Sequence, residues 1–271
     1  MQIADEELEL LVADLHDRYG YDFSGYARAS LKRRFERLAG LDKFPSFAEF
    51  RYKILKDPVY IKRVVEEITV NVTEMFRDPH FYLALRAEIL PVLATYPFIR
   101  IWLAGVASGE EAYSMAILLY EANLLHKTLI YATDINPAVL DVARKGIYPA
   151  AKMKQYSENY LAAGGKGDFS EYYTARYGYI KLNEELSRRM IFSTHNLVSD
   201  ATFNEFQVII CRNVLIYFDK TLQDRVFHLF NDSLDIFGFI ALGSKETLKF
   251  SGMSDKYKVL KSGEKIWRKI S

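Results

Sequence analysis

The sequence lacks the features that mark several protein classes. Cys211 is the single cysteine among 271 residues, which excludes an internal disulfide framework and a multi-cysteine zinc site. No apolar run approaches the ~18 residues of a membrane helix, and the acidic first ten residues lack the apolar core of a signal peptide. The five histidines show no metal-binding spacing. We therefore expect a soluble, cytoplasmic protein without membrane insertion and without a metal.

A strong net charge is also missing. Thirty-six Lys and Arg residues oppose 35 Asp and Glu residues, so the formal net charge is only +1. This balance disfavours a global attraction to nucleic acid or to an anionic membrane. Half of the residues are hydrophobic, which excludes disorder for the bulk of the chain and suffices for a full core.

Residues 1–68 are predicted to form a small helical domain. Apolar residues recur at helical spacing from Leu8 to Leu15, and Gly20 follows as a stop. A second helix is predicted from Gly25 to about Leu38, capped by Ser24. It carries five basic side chains on much of its solvent side, Arg28, Lys32, Arg33, Arg34 and Arg37. Such a run is commonly a solvated face, but it can also bind an acidic partner.

Strands alternate with helices in residues 99–271, after a predicted linker and first helix at 69–98. Apolar runs near 99–104, 128–133, 190–193, 207–211 and 237–243 are typical of strands. Their alternation with helices predicts a parallel α/β sheet with ligands at the carboxyl ends of its strands. The Gly-rich, aromatic stretch before Arg189 does not fit this pattern. We interpret it as a small inserted β-element at about 165–190.

Two short segments at predicted strand ends favour a nucleoside-like ligand. Gly105 and Gly109 lie between a strand and a helix, where backbone can approach a ligand closely. Glu110 and Glu111 stand where a phosphate loop would have Lys, so a ligand with an amine or sulfonium is favoured over a phosphate. A plain strand–helix turn is the alternative. Asp134 ends the next strand and suits ribose hydroxyls, although an Asp there can also cap a helix.

Two further segments carry polar side chains between apolar ones. Asn71, Thr73 and Arg77 belong either to a capped linker or to a cluster aimed into a cleft, where Arg77 would bind a carboxylate. Asn213 follows a buried strand and is a candidate ligand contact. Tyr217 either holds a hydroxyl at the cleft mouth or packs in the core. No His is placed beside Cys211, so a nucleophilic role for it is not favoured.

These motifs together resemble the CheR-type methyltransferases, which use S-adenosylmethionine to methylate glutamate side chains of bacterial chemoreceptors. The resemblance spans nearly the whole chain. It rests on four segments in the family's order: Asn71-Val-Thr-Glu-Met-Phe-Arg77, Gly105-Val-Ala-Ser-Gly-Glu-Glu-Ala-Tyr113, Ala132-Thr-Asp134-Ile, and Cys211-Arg-Asn-Val-Leu-Ile-Tyr-Phe-Asp219. The last of these is specific.

The resemblance implies a fold and a set of site residues. The fold is a Rossmann-like methyltransferase domain with an inserted antiparallel β-subdomain, preceded by an all-helical domain. The implied cofactor contacts are Asn71, Thr73, Arg77, Gly105, Glu111, Asp134, Asn196, Leu197, Asn213 and Val214. Arg77 and Tyr217 are the candidates for guiding the substrate carboxylate, and the basic helix for meeting the receptor's acidic methylation region. The family also implies a monomer that acts on the cytoplasmic domain of a methyl-accepting receptor.

Departures from the family pattern leave alternatives open. The stretch around Ala175 to Gly178 looks shorter than in members that bind a receptor's tether peptide, so we expect no tether requirement. Gly243-Ser-Lys-Glu246 replaces the usual Gly-His-Ser-Glu. The leading hypothesis is an active protein-glutamate O-methyltransferase. The alternatives are a catalytically silent cofactor-binding signalling module and a methyltransferase for a small molecule or nucleic acid. The near-neutral charge disfavours nucleic acid, and the Asn-x-Thr-x-x-x-Arg element favours the protein-carboxylate group.

Overall fold

Four amphipathic helices form the first part of the chain in the computed structural model, which describes residues 1–69 and 73–271. They are α1 (Asp5–Tyr19), α2 (Arg28–Leu41), α3 (Phe47–Lys56) and α4 (Tyr60–Ile68). Their apolar faces pack into one separate core, to which α1 contributes the predicted residues Leu8, Leu11, Val12 and Leu15. Gly20 ends α1 in the left-handed region, with φ of 75°.

The predicted start of α2 is wrong by three residues. The helix begins at Arg28, and Ser24 does not cap it. The preceding backbone is held by the second domain instead: Ala27 N–H donates to the Tyr217 carbonyl at 2.8 Å, and Asp219 N–H donates to the Gly25 carbonyl at 2.8 Å. These two hydrogen bonds flank an antiparallel bridge between Tyr26 and Phe218, and the extended backbone of a bridge cannot be part of a helix.

The second helical segment covers residues 79–93. It consists of α5 (Pro79–Ala84), a π-helical turn (Leu85–Ile89) and α6 (Leu90–Leu93). Phe76 and Asp78, which precede it, have positive φ of 52° and 57°. Five further helices follow: α7 (Glu110–Glu121), α8 (Pro137–Lys145), α9 (Met153–Ala162), α10 (Glu184–Ser187) and α11 (Lys220–Ser233).

The strands form two sheets. They are β1 (Ile99–Ala104), β2 (Thr128–Asp134), β3 (Ile147–Pro149), β4 (Tyr173–Arg176), β5 (Tyr179–Leu182), β6 (Met190–Thr194), β7 (Phe206–Cys211), β8 (Leu234–Leu242), β9 (Tyr257–Val259) and β10 (Ile266–Lys269). The main sheet has the order β6-β2-β1-β7-β8-β10-β9. Its first five strands are parallel, and β10 runs antiparallel to both β8 and β9. The predicted α/β class is thus confirmed.

Both faces of the main sheet are covered. In β1, Ile101 and Leu103 belong to one hydrophobic core, whereas Trp102 and Ala104 belong to a second core on the opposite face. Every residue of β7 is buried. A sheet buried on both faces explains why its strands appear in the sequence as continuous apolar runs rather than as alternating ones.

The small antiparallel sheet confirms the inserted β-subdomain and extends it. Its order is β3-β5-β4, so one strand comes from Ile147–Pro149. This strand lies before the predicted boundary at about 165. A strand of three residues is too short to show a recognisable alternation pattern in the sequence. Strand β3 is held in place by pairing with β5, about thirty residues further along the chain.

Candidate functional site

A cavity lies at the carboxyl ends of four adjacent parallel strands, β6, β2, β1 and β7. Strand order reverses between β1 and β7, and in open α/β sheets such a switch point is where ligands bind. The cavity holds about 940 Å³ of empty space, part of it open to solvent. Side chains of the helical domain, including Tyr26 and Ile68, close one wall.

The described residues that were predicted to contact the cofactor or the substrate carboxylate all line this cavity, whereas none of the five predicted basic residues of α2 does. The predicted residues that line it are Thr73, Arg77, Gly105, Glu111, Asp134, Asn196, Leu197, Asn213, Val214 and Tyr217. Asn71 lies outside the described residues. The carboxyl ends of parallel strands share one edge of the sheet, which explains why segments distant in the sequence converge here.

Gly105 lets a ligand in this cavity approach the backbone closely. Its φ is +81°, and a Cβ atom at this position would collide with the Val214 side chain. The amides of Gly105 and Val106 donate to the Thr133 carbonyl at 2.8 and 3.0 Å, which fixes the loop against the end of β2. A side chain larger than hydrogen would therefore displace either the loop or Val214.

Asp134 is buried at the cavity wall and accepts two backbone hydrogen bonds. Ala107 N–H donates to its Oδ2 and Asn136 N–H to its Oδ1, each at 2.9 Å. Burial raises the pKa of Asp134, and the neighbouring backbone amides oppose that shift. The helix cap is Asn136, whose side chain accepts from Ala138 N–H. The carboxylate keeps free lone pairs, which can accept hydroxyl donors from a ligand.

The two adjacent glutamates have different surroundings. Glu110 is fully buried and accepts hydrogen bonds from the Ser108 hydroxyl at 2.6 Å and the Tyr156 hydroxyl at 3.2 Å. Glu111 lines the cavity and pairs with Arg212 at 2.8 Å. Only Glu111 is thus placed to meet a ligand, as the sequence analysis assigned.

Arg212 is a buried residue of the site whose role the sequence analysis did not identify. Its guanidinium pairs with Glu111 and, at 2.6 Å, with Asp78, and it donates to the Arg77 carbonyl at 3.2 Å. It also lies 4.2 Å from the centre of the Phe81 ring. Arg212 therefore ties the segment before α5 to the end of β7. A buried Arg directly after an apolar strand was the available signal.

Glu246 was also missed. It is 5% exposed, and its carboxylate accepts hydrogen bonds from five backbone amides, those of Gly243, Asn213, Val214, Leu215 and Ile216. Burial raises the pKa of Glu246, and these amides lower it. The sequence signal is its position three residues after Gly243, at the carboxyl end of β8, the fifth parallel strand.

The loop after β6 forms the next part of the wall. The Asn196 side chain accepts from Val198 N–H at 2.9 Å, and Leu197 is 8% exposed. His195 also lines the cavity, and its ring contacts Trp102 edge-on with 5.1 Å between ring centres. His195 is a further residue that the sequence analysis did not single out.

Tyr217 lines the cavity and lies close to arginine side chains. The Arg34 guanidinium lies 5.4 Å from the centre of its ring. Burial raises the pKa of Tyr217, whereas Arg34, Arg77 and Arg33 act to lower it. Tyr26 belongs to the same wall and packs edge-on against Phe218. The helical domain thus contributes Tyr26 to the cavity wall and the Arg34 guanidinium to the surroundings of Tyr217.

The five basic residues of α2 fall into two groups. Arg28, Lys32 and Arg37 pair with Glu9, Asp5 and Glu67 of α1 and α4, at 2.9, 2.7 and 3.3 Å respectively. Arg33 is exposed, and Arg34 donates to the Glu67 carbonyl while its guanidinium lies over Tyr217. Arg34 thus reaches the cavity wall through Tyr217.

Other kinds of site find no support in the described residues. There, no group of three or more His, Cys, Asp or Glu side chains is placed to hold a metal ion. No helix in residues 1–69 or 73–271 is long and apolar enough to cross a membrane. Cys211 is fully buried, and burial raises the pKa of its thiol well above its ordinary value, so it is not an activated nucleophile.

Known proteins share both parts of this chain. Residues 71–266 match the family described as "CheR methyltransferase, SAM binding domain", and residues 6–69 match "CheR methyltransferase, all-alpha domain". Cher3 of Pseudomonas putida, named as a methyltransferase, is 47% identical over 98% of this chain and 97% of its own. A chemotaxis protein methyltransferase of Listeria monocytogenes is 30% identical over 84% of this chain and 85% of its own.

Solved structures add only a distant likeness. The glycopeptide N-methyltransferase MtfA, complexed with sinefungin, has a TM-score of 0.39 and 10% identity over 63% of this chain and 50% of its own. The family assignment therefore rests on the sequence matches. The cavity suits S-adenosylmethionine, because Asp134 can accept ribose hydroxyls, Glu111 offers a negative charge and Gly105 leaves room at the backbone. From its two matched regions and its relatives, this chain belongs to the CheR methyltransferase family and is an S-adenosylmethionine-dependent methyltransferase.

Proposed function

We propose that this protein transfers a methyl group from S-adenosylmethionine to glutamate side-chain carboxylates of a bacterial chemoreceptor or a related signalling protein. The products are a glutamyl methyl ester and S-adenosylhomocysteine. One observation carries the proposal: Arg77 and Tyr217 line the same cavity, and the Arg34 guanidinium lies 5.4 Å from the centre of the Tyr217 ring. Guanidinium groups beside a phenol hydroxyl offer hydrogen-bond donors that suit a carboxylate substrate.

The reaction needs orientation more than proton transfer. A glutamate side chain is ionised at neutral pH, since its ordinary pKa is about 4.3. S-adenosylmethionine supplies an electrophilic methyl group when it is bound. In our proposal Asp134 accepts from its ribose hydroxyls and Glu111 faces its amino group. Arg77 and the Tyr217 hydroxyl then hold the substrate carboxylate in line and exclude water from it.

The same proposal divides the basic helix by function. Arg33 and Arg34 would contact the acidic methylation region of the partner. Lys32, already paired with Asp5 at 2.7 Å, would mainly link α2 to α1. Arg33→Ala and Lys32→Ala remove the same charge from adjacent positions, so they form a matched pair. We expect Arg33→Ala to raise KM for the receptor domain roughly fivefold to tenfold, and Lys32→Ala to change it less than about twofold.

The β-subdomain motivates a further part of the proposal, that no tether peptide is required. Strands β4 and β5 are only four residues each, and Tyr177 and Gly178, both with positive φ, close them as a two-residue hairpin. Calorimetric titration of a receptor tail peptide should give no heat of binding. Micromolar binding would disprove this part alone. We further expect a monomer, which light scattering after gel filtration can test.

Tritiated S-adenosylmethionine tests the main proposal. Label should enter purified receptor cytoplasmic domains as base-labile methyl ester, and Glu→Gln changes at the methylation sites should abolish it. Tyr217→Phe removes one hydroxyl and should lower kcat while affinity for S-adenosylhomocysteine stays within about twofold.

Calorimetry distinguishes the alternatives. Binding of S-adenosylmethionine and S-adenosylhomocysteine, lost in Asp134→Ala, establishes the pocket. Cofactor binding without label in any receptor domain would favour the silent signalling module. Label in a small metabolite or nucleic acid instead of protein would favour the third hypothesis. Absence of cofactor binding would refute the whole assignment.

A further inference from the structure

Glu246 is a buried carboxylate that accepts four of its five backbone hydrogen bonds from one turn of the chain, residues 213–216. Its Oε1 accepts from the amides of Val214, Leu215 and Ile216 at 2.9, 2.8 and 3.3 Å. Its Oε2 accepts from Asn213 at 3.0 Å and from Gly243 at 2.6 Å. Five charge-assisted bonds to one side chain are far more than a residue needs in order to be buried.

These bonds satisfy a turn that cannot satisfy itself. Val214 caps the 3-10 helix Leu215–Tyr217, and Asn213 before it has a φ of +60°, in the sparsely populated left-handed region. The first amides of any helical turn have no partner within it. Glu246 supplies that partner from more than thirty residues away, so it supports a strained backbone from outside the turn.

The fit around the carboxylate leaves no spare space. A Cβ atom at Gly243 would lie 2.7 Å from Glu246 Oε2 and 2.8 Å from the Asn213 amide nitrogen. Any other residue at 243 would therefore push the carboxylate and the turn apart. Glycine at this position and Glu246 form one structural unit.

The turn carries three residues of the cavity wall, Asn213, Val214 and Tyr217. We propose that Glu246 is a positioning residue for methyl transfer: its carboxylate holds residues 213–217 so that the Tyr217 hydroxyl and the Asn213 side chain face the bound substrates. This inference rests on the proposed function and extends it, because Glu246 touches neither substrate and acts only through the turn.

Hydrogen exchange measures the proposed contact directly. In Glu246→Gln the carboxamide keeps one acceptor oxygen, but its NH₂ group cannot accept from the amides that face it. Amides of residues 213–216 should then exchange roughly tenfold faster or more, while amides of β7 and α11 stay as in the wild type. Lys245→Gln removes one charge from an exposed neighbour that makes none of these bonds, so it is the control and should match the wild type.

Kinetics separate positioning from simple stabilisation. Because a displacement of about 1 Å can cost a hundredfold in rate, Glu246→Gln should lower kcat roughly a hundredfold, with KM for the receptor domain changed less than about threefold. Measurement is made well below the melting temperature of each variant. Glu246→Asp retains the charge and should recover part of both kcat and exchange protection. Gly243→Ala keeps the Glu246 carboxylate but forces a methyl group between it and the Asn213 amide, so it should reproduce both effects if Glu246→Gln fails to fold.

The outcomes are separable from those of the proposed function. If the wild type methylates no receptor domain, exchange at 213–216 and affinity for S-adenosylhomocysteine still decide the role of Glu246. Faster exchange with at least roughly fivefold weaker binding would support it. Unchanged exchange in Glu246→Gln would overturn it. Faster exchange with wild-type kcat and affinity would also overturn it, since the turn would then be held without consequence for the site.

Discussion

Replacing Arg212 should destabilise the fold more than breaking a surface ion pair would. Its side chain is 3% exposed, and that of its partner Glu111 is 13% exposed, whereas Asp78 is 47% exposed. Arg212→Met keeps an apolar stem of similar length but leaves the Glu111 carboxylate buried without its cation. Removing one member of a buried pair typically costs about 3–5 kcal/mol. Asp78→Asn should cost less than about 1 kcal/mol, because that partner is half exposed.

Urea unfolding at neutral pH measures these differences. Buried Trp102 gives a fluorescence signal, and far-UV circular dichroism serves as the second probe. The double variant Arg212→Met with Glu111→Gln removes both charges, so it should recover part of the loss and give a coupling energy of roughly 1–3 kcal/mol. The explanation fails if Arg212→Met alone costs less than about 1 kcal/mol, or if the double variant shows no recovery.

Three further outcomes follow from the site. Gly105→Ala should weaken binding of S-adenosylhomocysteine at least roughly tenfold by calorimetry, because the new Cβ collides with Val214, and adding Val214→Ala should restore part of it. Burial raises the pKa of Asp134. Its carboxylate is therefore protonated at a higher pH than that of an exposed aspartate, whose pKa is about 3.9. Affinity should therefore fall as pH is lowered through that raised pKa, and affinity that stays constant down to about pH 4 would contradict this role. Cys211 is fully buried with a raised thiol pKa, so Ellman's reagent should label it in urea but not in the native protein, and rapid native labelling would disprove its burial.

Much of the architecture follows from local sequence patterns. The helical spacing of Leu8, Leu11, Val12 and Leu15 marks the buried face of α1 as the structure has it. Continuous apolar runs mark the strands of a sheet covered on both faces. These patterns are local because a helix or a strand is periodic over a few residues, and burial selects apolar side chains at that period.

The cavity could also be located from the sequence. Gly105, Asp134 and Asn213 each follow a predicted strand, and the carboxyl ends of parallel strands meet at one edge. The family motifs added Asn196 and Leu197, which the strand rule alone did not single out. Asn71 lies outside the described residues, so its role stays a prediction.

Tertiary structure alone decided how these side chains are held. Glu246 reaches the turn at Asn213 across 33 residues of chain, and Arg212 reaches Glu111 and Asp78 across 101 and 134. The start of α2 moved to Arg28 because residues 25–27 hydrogen-bond to Tyr217 and Asp219 of the other domain. The sequence by itself determined the five parallel strands and the sheet edge at which the cavity lies, since both depend on local periodicity and on strand ends; the antiparallel strands β9 and β10 were not predicted. The partners of the buried charges depend on long-range packing, where many pairings satisfy the same local pattern and only the folded chain selects one.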